Sequence, residues 1–187
     1  VSQNAREQIL LVAKAAAQLH GYGGINFRTI AEEIGIKNAS IYYHFPSKAD
    51  LGAAVAQRYW QETAQVLSEL RVAHASPEDS LRLYPSIFRT SLENQNRLCL
   101  SSFMAAEFED LPDQVTKEVR AFADINVEWL VGILADLNWG SGENRKRRAY
   151  AIYTAVAGAQ LIARTRQDIS LFDELISSYR EAGLIPA

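Results

Sequence analysis

Tyr42, Tyr43 and His44 form an aromatic-polar cluster ahead of Phe45, and Lys48 follows shortly after. Tyrosine hydroxyls and an imidazole nitrogen can donate hydrogen bonds to phosphate oxygens. Pro46 and Ser47 stop the preceding helix, and Ser47 is placed to cap a new one that begins at Lys48. Free backbone N–H groups and the helix dipole already favour an anion there, so a cation is unfavourable unless a phosphate sits between. Tyr43, His44 and Lys48 are therefore expected to contact phosphate. Phe45 is expected in the core, and Tyr42 is open between phosphate contact and inward packing. Arg28, Lys37, Asn38 and Ser40 are candidates for reading bases or flanking phosphates, since Asn pairs with adenine and Ser with several bases in the major groove.

Such residues act only if a scaffold presents them together. Ala31, Gly35 and Ile41 meet the three needs of a helix-turn-helix. These are a small residue at the helix crossing, a permissive residue in the turn and an aliphatic anchor for the recognition helix. Asn26 is expected to cap a helix through Ile34, and a short helix should follow from about Asn38 to Phe45. Upstream, Asn4 and Glu7 read as a capping box, and Ile9, Val12, Ala13, Ala16 and Leu19 repeat at helical spacing. Gly21, Gly23 and Gly24 end that first helix; no strand precedes them, so a phosphate loop is not expected.

The stretch Phe27-Arg28-Thr29-Ile30-Ala31-Glu32-Glu33-Ile34-Gly35-Ile36, with Ile41-Tyr42-Tyr43-His44-Phe45 and Lys48-Ala49-Asp50-Leu51, resembles the DNA-binding part of the TetR family of regulators. The resemblance spans roughly residues 5 to 52. It implies an all-α homodimer with a three-helix helix-turn-helix over residues 1–50 and a helical ligand-sensing and dimerisation domain over 51–187. It implies a transcriptional regulator of double-stranded operator DNA, expected to be a repressor released by a small molecule or electrophile. An activator of the same fold and a helical adaptor without DNA binding are the alternatives. Lys37 stands where the family usually has a helix-capping Ser, and Ala39 where it usually has Gly. Asn38 is expected to take over the cap.

The bulk properties agree. The 187 residues are 48% apolar and 22% charged, with a net charge of −3. Such a balance argues against a protein that coats nucleic acid everywhere. Residues 1–60 nevertheless carry a small basic excess (Arg6, Lys14, Arg28, Lys37, Lys48 and Arg58 against Glu7, Glu32, Glu33 and Asp50), and the remainder is acidic. No apolar run has membrane-spanning length and no secretory segment opens the chain, so a cytoplasmic protein with no membrane partner is expected. His20, His44 and His74 have no metal spacing. No nucleophile elbow or P-loop is present. Catalytic residues, metals and cofactors are therefore not expected, and the protein is not expected to be an enzyme.

Beyond the motif the chain reads as helices: one long helix to about His74, then Pro77 to Asn94, Arg97 to Glu109, Pro112 to Leu137, Glu143 to Arg166 and Asp168 to Ala182. Tyr84, Phe88, Phe103, Met104, Phe108, Phe122 and Trp129 are either core or the walls of an apolar ligand pocket for an unknown inducer. Ala149, Ala151, Ala155, Ala157, Gly158 and Ala159, in the last two helices, are small enough for a four-helix seam with a second copy or for close packing within the chain. Arg145-Lys146-Arg147-Arg148 reads as a solvated surface. Cys99, the only cysteine, is expected just inside a helix. The stretch from Arg97 through Glu107 resembles that of TetR-like repressors whose cysteine responds to electrophiles or oxidants. Burial as a small hydrophobe is the other reading.

Overall fold

The computed structural model describes residues 2–74 and 76–187, with side chains from Asn4 onward. Every regular element among the described residues is helical. They are α1 (Ser2–His20), α2 (Phe27–Ile34), α3 (Asn38–His44), α4 (Lys48–Ala73), α5 (Pro77–Leu83), α6 (Ser86–Glu93), α7 (Leu100–Ala106), α8 (Asp113–Asp136), α9 (Gly142–Arg166) and α10 (Ile169–Glu181). Short 3₁₀ turns cover Tyr22–Gly24 and Phe108–Asp110. The chain packs into two units: residues 1–61 with 100–122, and residues 62–99 with 123–187.

In the first unit, periodic apolar residues meet in one core. Ile9, Ala13 and Ala17 come from α1, Ile30 and Ala31 from α2, Ile41 from α3, and Leu51 and Val55 from α4; all are buried. Leu100 and Met104 of α7 and Val115 of α8 complete it. Each fully buried Leu, Ile or Met side chain contributes about 1.5–3 kcal/mol. These contacts sustain helices as short as α2 and α3, which would be marginal alone.

The second unit packs α6, α9 and α10 together around Tyr84, Phe88, Ile152, Val156, Phe172 and Ile176. Asp168 caps α10 by accepting from the Ser170 and Leu171 N–H groups. The interior holds polar groups with satisfied partners. Tyr84 donates to Asn126 Oδ1 at 2.9 Å. Trp129 Nε1 donates to the Leu67 carbonyl at 2.8 Å. Gln160, with no exposed surface, donates to the Phe88 carbonyl at 2.6 Å and accepts from the Cys99 N–H at 3.1 Å. One amide thus ties α6, the segment before α7, and α9.

Several local expectations need correction. α1 begins at Ser2, so Asn4 and Glu7 lie inside it and form no capping box; Glu7 instead pairs with Arg58. The helix expected over Pro77–Asn94 is two helices, because Pro85 lacks the N–H that a continuous helix needs. The helix expected from Arg97 begins only at Leu100 and ends at Ala106. Cys99 therefore precedes α7 rather than lying in it. Of the six small residues on α9, Ala149 and Ala159 are buried against their own chain, whereas Ala151 and Gly158 are exposed. The outward face also shows Tyr150, Leu161 and Ile162.

Gln160→Leu keeps the volume but removes two buried hydrogen bonds, to the Cys99 N–H and to the Phe88 carbonyl; taking one partner from a buried polar contact costs about 1–3 kcal/mol. Chemical denaturation should show a loss of roughly 2–5 kcal/mol, against less than about 0.5 kcal/mol for the exposed Gln65→Leu.

Candidate nucleic-acid interface

The turn between α2 and α3 is built as the sequence predicts. Asn26 Oδ1 accepts from the Arg28 and Thr29 N–H groups at 2.9 and 3.1 Å and starts α2. Gly35 ends it in the left-handed region, φ 75°, with its N–H on the Ala31 carbonyl. A side chain at that φ is strained, which explains why the position carries Gly. Ile41 then anchors α3 in the core and Phe45 is buried behind it. The cap of α3 departs from expectation. Lys37 occupies the N-cap with extended backbone and no side-chain hydrogen bond, and Asn38 is the first helical residue. Asn38 therefore does not take over the cap, because its backbone is already helical. Its exposed side chain remains available outside the helix.

With Ile41 turned inward, the rest of α3 faces out. Asn38, Tyr42 and Tyr43 are exposed, Ser40 and His44 are half-buried, and Lys37 is exposed just ahead of them. Tyr43 is 80% exposed and sits edge-on to the His44 ring at 5.0 Å. Tyr42 packs its edge on Phe27 at 4.8 Å while half its surface stays open. Arg28 is exposed on α2 and pairs with Glu32 one turn later at 3.0 Å, a surface ion pair of small energetic weight.

α4 starts as expected. Ser47 Oγ accepts from the Asp50 N–H at 3.1 Å and donates to Asp50 Oδ2 at 2.6 Å. The Ser47 hydroxyl, then Gln114 at 3.2 Å, holds the Asp50 carboxyl below its ordinary range. Lys48 lies in that first turn. Its Nζ sits 4.6 Å from the Tyr22 ring centroid and donates to the Gly23 carbonyl at 3.4 Å. Sequence reasoning found Lys48 but missed Tyr22, Gly23 and Gln114. The glycines around Tyr22 mark the turn only as the end of α1.

The seven proposed pocket residues separate. Tyr84, Phe88 and Trp129 come together in the second unit, with ring centroids 5.7 Å (Tyr84–Phe88) and 5.5 Å (Tyr84–Trp129) apart. Phe103, Met104, Phe108 and Phe122 belong to the first unit, where Met104 is fully buried in the core. Phe122 stacks on Tyr59 at 5.4 Å, and Arg120 lies over Phe108. Cys99 is 2% exposed. Burial, and secondarily the charge a Cys99 thiolate would carry, pushes the Tyr153 phenol up. Burial likewise raises that of Tyr84, so both remain protonated donors. Among the described residues no cluster of His, Cys, Asp or Glu is arranged to hold a metal ion, and no helix is long and apolar enough to cross a membrane.

An all-helical chain with a helix-turn-helix, its second helix presented outward beside a lysine, is a DNA-binding regulator by architecture. Residues 9–55 match the family model for bacterial regulatory proteins of the tetR family. The HTH-type transcriptional repressor AcnR of Corynebacterium glutamicum is 35% identical over 128 residues, 67% of each chain. A TetR transcriptional regulator from Legionella pneumophila superposes with TM-score 0.87 at 32% identity, covering 94% of this chain and 95% of that one. A TetR-family regulator from Agrobacterium tumefaciens gives TM-score 0.90 at 28% identity over the whole of both chains. The chain belongs to the TetR family of transcriptional regulators.

Proposed function

We propose that this protein is a repressor. It binds double-stranded operator DNA as a homodimer through α3 and the start of α4, and it leaves DNA when a small molecule enters its helical sensing domain. The functional division falls near residue 50, with DNA contact before it and sensing and pairing after it. The observation that carries the DNA contact is the presentation of Tyr43 on a helix otherwise anchored by Ile41. An 80%-exposed aromatic beside His44 and an ordered Lys48 has no packing role, and its hydroxyl suits a phosphate oxygen. Tyr42, Tyr43, His44 and Lys48 contact phosphate; Arg28, Lys37, Asn38 and Ser40 read bases or their flanks. Repression is favoured by the AcnR relative, which is itself a repressor. A cytoplasmic site of action follows from operator DNA as the partner.

The inducer is an apolar or aromatic molecule held non-covalently around Tyr84, Phe88 and Trp129, the three proposed pocket residues that share one unit. The near-complete burial of Cys99, and the engagement of its N–H by Gln160, favour this reading over an electrophile reaching the thiol. Pairing runs through the outward face of α9, where Ala151 and Gly158 allow close approach and Leu161 and Ile162 supply apolar surface.

Selection of bound DNA from a random pool should return one site, against which variants can be titrated by fluorescence anisotropy. Tyr43→Ala and Lys48→Ala should weaken binding to all sequences. Lys48→Ala should also reduce the salt slope, by roughly one unit for each phosphate that a subunit no longer neutralises. Parent affinity in both folded variants would remove α3 and α4 from the interface.

The selected site should be an inverted repeat, because a two-fold protein reads two-fold DNA. Ile162→Arg should yield monomers by light scattering, with poor operator binding; an intact dimer would place the seam elsewhere. Ala159 cannot serve in this test, because its side chain is buried in its own chain.

N-ethylmaleimide should leave operator binding unchanged in the parent and in Cys99→Ser. Release of the parent alone would make Cys99 the sensor and overturn the non-covalent reading.

A further inference from the structure

Glu107, far along the chain from the helix-turn-helix, belongs to the same packing unit. Its Oε2 accepts from the Tyr22 N–H at 2.7 Å. Both carboxylate oxygens lie where a side chain on Gly21 would begin: a Cβ there would stand 2.2 Å from Oε2 and 2.5 Å from Oε1. Gly21 also has φ 66°, so the turn is shaped to receive this carboxylate. Tyr22, held through its N–H by Glu107, presents its ring to Lys48 Nζ at 4.6 Å, and Gly23 of the same turn offers its carbonyl to that ammonium at 3.4 Å.

The energetics give this chain of contacts a direction. A lysine loses rotamer freedom when a phosphate immobilises it. A lysine already lodged over a ring and against a carbonyl has met part of that cost before DNA arrives. The lodging is only as firm as the turn that supplies ring and carbonyl. A charge-assisted N–H to carboxylate bond is the stronger kind of hydrogen bond, and here it fixes that turn. A carboxylate this close to a phosphate-binding lysine would be a liability if it faced the phosphate; it faces the turn instead.

We propose that Glu107 is a positioning residue for operator binding: its carboxylate grips the Tyr22–Gly24 turn and thereby pre-orders Lys48 for a backbone phosphate. The proposal rests on Lys48 being a phosphate contact. It gives the segment that follows Cys99 a route to DNA affinity that involves no DNA contact of its own.

The test is a double-mutant cycle on the full chain, titrated onto the selected DNA site at several salt concentrations. Glu107→Ala should bind about tenfold more weakly, with the salt slope kept near the parent value because Lys48 still reaches its phosphate. The double variant should be no weaker than Lys48→Ala alone. Glu107→Gln, which keeps an acceptor oxygen, should stay within about threefold of the parent. A role in stability alone would lower Tm and give an affinity loss that multiplies with that of Lys48→Ala; that result overturns the proposal. If Glu107→Ala does not fold, Tyr22→Leu keeps the backbone bond but removes the ring, and it must show the same non-additivity with Lys48→Ala. Parent-like affinity and slope in Lys48→Ala would refute the phosphate contact itself, and the positioning role with it. A Lys48 effect that is independent of Glu107 and Tyr22 refutes only the positioning role.

Discussion

Ile41 is the buried residue of a seven-residue helix, and the presentation of α3 depends on it. A helix of that length is marginal in water. The entry of Ile41 into the core shared by α1, α2 and α4 fixes the rotation of α3 about its axis. Helical periodicity then determines what remains outside: Asn38, Tyr42 and Tyr43. Gly35 sets the angle of approach by closing α2 in a conformation that other residues resist. Phe45, buried where α3 ends, holds its far end. A side chain other than a similar aliphatic at position 41 would alter both stability and the face offered to a ligand.

Around that anchor the first unit surrounds the motif with polar contacts. Asp50 receives Ser47 from the start of its own helix and Gln114 from α8. Tyr22 receives Glu107, and Trp60 donates to Glu118. Each of these pairs links residues 1–61 to residues 100–122, apart from Ser47–Asp50, which is local. The residues proposed to contact DNA are thus supported by residues 100–122, a segment that the family resemblance placed in the sensing domain. α4 and α8 each contribute residues to both packing units, so the chain passes from one unit to the other within each of these helices.

The helix-turn-helix was legible because local rules set it: a capping Asn, a turn Gly and an aliphatic anchor at fixed spacing. The longer helices were legible from periodicity and from Ser47 and Asp168 at the starts of α4 and α10. What could not be read depended on partners distant in sequence. Glu107 has no local signature; its partner is an N–H 85 residues away. Gln160 looks like any polar residue on α9 until Phe88 and Cys99 are seen to need it. The aromatic residues between Tyr84 and Trp129 share one composition, yet tertiary packing divides them between two cores. Pro85 lies within the helix expected over Pro77–Asn94, and the structure shows the break it causes.

Amide hydrogen exchange on the full-length protein, with and without saturating selected DNA, tests the central claim most directly. Slowed exchange should concentrate over residues 37–48 and over the Tyr22–Gly24 turn. The basic run Arg145–Arg148, where Lys146 and Arg147 are exposed but Arg145 donates to the Gly140 carbonyl and Arg148 to the Leu184 carbonyl while lying over Trp139, should be unchanged. Protection at residues 145–148 with none at 37–48 would contradict the account and move the nucleic-acid interface to α9.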